Sequence, residues 1–223
     1  MSYWIKESEE KEGVKMKRVL LIYLIVLLCS AILSCKKEQS RQEKASQPVN
    51  PYTSESVFLE IKKKLQENPS DADLWYHLGD LYDRNGIYPE AIEAFKKAVS
   101  FKPDMGYAYF KMGTAYNRIN RPEEAVKSLE KAIKLMPDYA VAYNNLAIAY
   151  GKMGDVSKEI ENLEKAIRLR PGYGIARYNL GVAYLKRKDK DAAKREYESL
   201  KGIDKGLAEE LLKKIEDKGS RAK

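Results

Sequence analysis

From residue 72 onward the chain repeats one arrangement of apolar, small and polar positions. Trp75, Leu78, Gly79 and Tyr82 are spaced i, i+3, i+4, i+7, which puts them on one face of a helix. Ala91, Phe95 and Ala98 follow at i, i+4, i+7, the face of a second helix. The small residues let the two helix axes approach, near the low end of the usual range of about 8–10 Å. Trp75, Tyr82 and Phe95 fill the volume around that contact. Gly86 stands where the first helix must stop, because glycine adopts the left-handed conformation that ends helices. Pro89 suits the start of the second helix, where its missing N–H costs nothing. Pro103 ends it, since the residue before a proline is pushed out of the helical region.

The arrangement returns every 34 residues, as Tyr82, Tyr116, Tyr150 and Tyr184 show, and as Pro103, Pro137 and Pro171 repeat. The copies span 72–105, 106–139, 140–173 and 174–207. Asn120 replaces the glycine of the second turn and tolerates the same left-handed conformation. The third copy has Glu159 where a small residue is expected, which predicts a looser helix contact there. The fourth keeps Leu180, Gly181, Tyr184 and Ala193, with Tyr197 in the Phe95 role, but departs at Arg177, Leu200 and Lys205.

Self-similarity at this period, on these residues, resembles the tetratricopeptide repeat. The resemblance covers about residues 54–217 and implies an all-α solenoid of about four helix–turn–helix repeats with capping helices at both ends. Residues 54–71 hold Val57, Ile61 and Leu65 at spacing four and match the second helix of a repeat that lacks its first. Leu207, Leu211, Leu212 and Ile215, within 205–217, give an amphipathic closing helix; 218–223 is a short tail.

Ahead of the repeats the character changes. Lys17 and Arg18 precede a nearly unbroken apolar run over 19–33, shorter than the roughly 20 residues that cross a bilayer comfortably. Basic start, short apolar middle and small residues are the proportions of a secretory signal, so 1–34 reads as a signal peptide. Ile32-Leu33-Ser34-Cys35 resembles the bacterial lipoprotein box, which implies acylation of Cys35; an uncleaved anchor helix is the competing reading. Four glutamates within 1–15 are odd for a signal and suggest that translation starts at Met16. Residues 35–53, polar and rich in Gln, Lys and Ser, read as a lipidated tether. The resemblance implies a bacterial cell-envelope protein. Lys36 after the cysteine leans it toward the outer membrane, facing the periplasm.

Composition narrows the chemistry. The net charge of +8 is spread through interspersed acids and bases, so Lys62-Lys63-Lys64 and Lys186-Arg187-Lys188 read as solvated helix faces. His77 is the single histidine, and both cysteines lie before residue 36. No nucleophile–base pair, phosphate loop or metal-ligand spacing is present, and Asp80 and Asp83 read as a solvated face. No enzyme, cofactor, metal or nucleic-acid partner is expected.

What remains is binding. In the resembled family a second stripe on each first helix lines a concave groove. Here it comprises Asp73, Tyr76, His77, Asp80 and Arg84, then Tyr107, Phe110, Lys111, Thr114 and Arg118. The third and fourth repeats supply Val141, Asn144, Asn145, Ile148 and Lys152, then Ile175, Tyr178, Asn179, Val182 and Lys186. The expectation is a groove that is acidic at one end and bordered by the basic row Arg84, Arg118, Lys152 and Lys186. Asn145 and Asn179 would bond a peptide backbone. Tyr107, Phe110, Ile148, Tyr178 and Val182 would form an exposed apolar patch, unless the closing helix folds in and fills it. Tyr76, Phe110, Val141 and Ile175 stand where a carboxylate clamp needs other residues, so no clamp is expected. The leading expectation is a scaffold that docks a peptide or helix of a protein partner during envelope assembly, with pairing of two copies compatible. The alternative is a glycan-binding subunit of an export apparatus, with Tyr76, Tyr107, Phe110 and Tyr178 stacking on sugars.

Overall fold

The structure, a computed structural model, describes residues 54–220. The expected signal peptide, Cys35 and the tether lie outside the described residues. Ten helices follow one another: α1 Ser54–Glu67, α2 Ala72–Arg84, α3 Tyr88–Phe101, α4 Gly106–Arg118, α5 Pro122–Leu135, α6 Ala140–Met153, α7 Val156–Leu169, α8 Gly174–Lys186, α9 Lys190–Lys201 and α10 Lys205–Ser220. The described residues form the all-α repeat solenoid that the periodicity predicts.

Each helix pair turns in the same way. The carbonyls of Tyr82, Tyr116, Tyr150 and Tyr184 accept from the amides of Ile87, Arg121, Asp155 and Asp189 at 2.9–3.0 Å. The residue between adopts positive φ: Gly86, Asn120, Gly154 and Lys188. This is the left-handed helix ending with its six-to-one bond. Asn120 takes the conformation expected of it. Lys188, at φ 66°, does so with a full side chain.

Small residues decide how closely the pairs approach. A Cβ on Gly79 would come within 2.7 Å of Phe95, and one on Gly113 within 2.6 Å of Leu129. Phe95, Leu129 and Leu163 are fully buried as a result. Two departures resolve differently from expectation. Glu159 does not loosen the third pair: it faces Gly151, whose missing side chain makes room for the carboxylate. In the fourth pair Tyr197 stays part-exposed, and Leu211 of α10 fills the space beside Gly181 instead. Arg177 replaces an aromatic yet keeps its bond, since its Nε donates to Pro171 as Trp75 Nε1 donates to Pro69, 102 residues earlier.

Beyond sequential neighbours, the first helices approach one another: α2 meets α4, and α4 meets α6. They therefore line the inner face, and the second helices lie outside. α10 packs on both α8 and α9, in the seat of a further first helix, with Ala208, Leu211 and Ile215 buried. At the other end α1 covers α2 through Leu65 and through Phe58, which meets Tyr82 edge-on at 4.9 Å.

Candidate functional site: the inner face of the first helices

The expected stripes of α2, α4, α6 and α8 share this inner face, but repeats use many of their polar groups on one another. At the amino-terminal end Lys111 Nζ lies 2.7 Å from Asp80 and 3.1 Å from Asp83, and Arg84 Nε lies 2.7 Å from Asp80. Burial alone would raise the Asp80 carboxyl, yet these two cations hold it below its usual range. The end expected to be acidic is therefore neutralised.

The aromatic residues form a graded surface. Tyr76 is half-buried against Phe95, with ring centres 5.7 Å apart, and burial raises its phenol. Phe110 is only 9% exposed, because Tyr139 stands edge-on over it at 5.0 Å. Tyr107 remains 55% exposed and meets the same Tyr139 at 5.5 Å. Phe110 is thus a support beneath the patch, not part of its exposed surface. Tyr139, just ahead of α6, lies outside the expected stripe, which takes residues only from within the first helices. Its recurrence as Tyr173, 34 residues on, is the signal that finds it.

The asparagines hold the repeats together. Asn144 is buried, and its Oδ1 accepts from Asn179 Nδ2 at 2.9 Å. Asn145 Nδ2 donates to Val141 of its own helix at 2.9 Å. Its backbone carbonyl accepts from Asn117 Nδ2, also at 2.9 Å. Asn117 is 7% exposed, and its Oδ1 has no hydrogen bond among the described residues.

Toward the carboxy-terminal end, Ile148 lines a pocket of about 240 Å³ with Gly151, Glu159, Asn179, Val182 and Lys186. Glu159 is buried and paired with Lys186 Nζ at 2.7 Å. Tyr178 and Val182 pack against the cluster containing Leu211 of α10. The Tyr178 hydroxyl donates to Glu210, and burial together with that carboxylate pushes its phenol up to about 12. The closing helix therefore covers these two residues in part, as the competing expectation had it. A larger cleft, of about 670 Å³, lies away from this face between α1, α2 and α3, lined by Trp75, Leu78 and Tyr82. Among the described residues, no cluster of three or more His, Cys, Asp or Glu is placed to hold a metal, and no helix is long and apolar enough to cross a membrane.

Tetratricopeptide-repeat profiles match residues 72–105 and 144–208, and a TPR-repeat profile matches residues 113–154. The chain belongs to the tetratricopeptide-repeat family. Among solved tetratricopeptide-repeat structures it is similar to that of MamA, at 30% identity and TM-score 0.66 over 70% of this chain and 91% of that one. A structure of YrrB, titled a TPR protein with an unusual peptide-binding site, shares the fold at 23% identity and TM-score 0.65, over 72% of this chain and 84% of that one. So does PilW, titled a widely conserved type IV pilus biogenesis factor, at 21% identity and TM-score 0.61 over 67% and 70%. A search of curated proteins finds no match.

Proposed function

We propose that this chain is a lipid-anchored tetratricopeptide-repeat scaffold that docks a segment of a partner protein on its inner face while a bacterial envelope complex assembles. The observation that carries it is Tyr107, more than half exposed on the inner face and held edge-on against Tyr139. Ordered repeats hold that ring in place, so a partner loses little entropy in meeting it. The anchor and the envelope setting rest on the Lys17-Arg18, apolar run and Cys35 pattern. The fold shared with YrrB and PilW supports a binding role rather than chemistry on a substrate.

The test has two arms. Metabolic labelling with a fatty acid should mark the wild-type chain and not Cys35→Ser; label retained by the variant would remove the anchor. A photocrosslinker at position 107 should join one defined protein in native membranes, and Tyr139→Ala should abolish that product. Retention of polysaccharide without any protein adduct would replace protein docking with the glycan reading.

A further inference from the structure

The basic row along the groove is not uniform. Arg84 is neutralised by Asp80, and Lys186 by Glu159. Arg118 and Lys152 have no carboxylate partner among the described residues, and both are exposed. Lys152 Nζ donates at 2.5 Å to the backbone carbonyl of Asn117, the residue before Arg118, so both cations stand at the end of α4. That carbonyl lies in the last turn of α4, where the negative end of the helix dipole partly offsets two neighbouring cations.

Resting on the docking reading above, we infer that the segment held in the middle of the groove is acidic: a carboxylate side chain meets Arg118 and Lys152, and an apolar side chain rests on Tyr107 and Tyr139. Charge complementarity selects this occupant, since the charged groups at either end of the face are paired with opposite charges and these two cations have no carboxylate among the described residues. The fork of Arg118 accepts a carboxylate in two-pronged geometry, and Lys152 adds a point charge beside it. Spacing follows from the helix. Tyr107 and Arg118 are 11 residues apart on α4, about 16 Å at the helical rise. An extended chain covers that in about five residues, so the acid sits about five positions from the apolar anchor.

A displayed library of random peptides selected on the full chain tests this. The expected result is enrichment of Asp or Glu about five positions from an aromatic or aliphatic residue, in peptides whose capture Tyr107→Ala abolishes. A synthetic winner should bind about tenfold more weakly when its acids become Gln. Arg118→Ala combined with Lys152→Ala should remove that difference and leave the Gln peptide unaffected, whereas Lys97→Ala with Lys127→Ala should preserve it. Arg118→Glu should turn the preference toward basic peptides. Tyr107-dependent peptides without acids, or an acid preference that survives loss of both cations, would overturn the inference and leave docking intact. Absence of any Tyr107-dependent peptide would overturn docking itself.

Discussion

Glu159 lies against the bare backbone of Gly151, where a Cβ would come 2.6 Å from its Oε1, and Lys186 grips the same carboxylate from the next repeat at 2.7 Å. One oversized residue, one missing side chain and one cation make a single unit. Gly151→Ala should therefore destabilise the protein by up to about 1 kcal/mol, because the carboxylate must shift off Lys186 to make room and the better helix propensity of alanine offsets part of that cost. In a Glu159→Ala background the same change should become neutral or stabilising by up to about 1 kcal/mol, since alanine is the better helix former. Equilibrium denaturation of the four species measures the coupling; additive effects would separate the two residues.

Lys188 holds a left-handed conformation that Gly86 and Gly154 hold without strain. Lys188→Gly should stabilise the protein by about 1 kcal/mol, the cost of that conformation for a residue with a Cβ. Asn120→Gly should gain less, because asparagine tolerates it. The denaturation midpoints should rank in that order.

Tyr150 is buried beside Glu130 and Tyr178 part-buried beside Glu210, and their phenols are pushed up to about 12 from 10.0. A raised acid is favoured in its neutral form on folding. The stability it contributes is complete below pH 10 and is lost as pH rises through about 12. Thermal melts across that window should show a steep fall, and Tyr150→Phe with Tyr178→Phe should flatten it. An unchanged slope would mean that these phenols do not drive alkaline unfolding.

Leu211 fills the space beside Gly181 and is fully buried. Leu211→Ala should cost about 2–5 kcal/mol. Because α10 closes the array, it should also uncover Tyr178 and Val182, seen as binding of a dye for apolar surface before the main unfolding transition.

The repeat itself was legible because every turn and small–large contact recurs at 34 residues, and a period survives local substitutions. Compensations were not, because they join residues from different helices. Nothing in the string ties Glu159 to Gly151 and Lys186, or gives Leu211 rather than Tyr197 the place beside Gly181. The groove was legible as a stripe but not as a surface: Phe110 and Tyr107 look alike by spacing, and only Tyr139 over the first separates them. Asn117 was missed because it lies at the edge of the helix face assigned to the groove, where packing between repeats decides its role.

Three lysines reach backward across repeat boundaries: Lys111 to Asp80 and Asp83, Lys152 to Asn117, and Lys186 to Glu159. In a stack held by nearest-neighbour contacts, such ties set how many units melt together. Severing the middle one, with Lys152→Met, should weaken the coupling between the second and third repeats and broaden the transition while leaving each repeat folded. A force applied along the array would then meet a weak joint at the very seam where the two cations without a carboxylate partner stand.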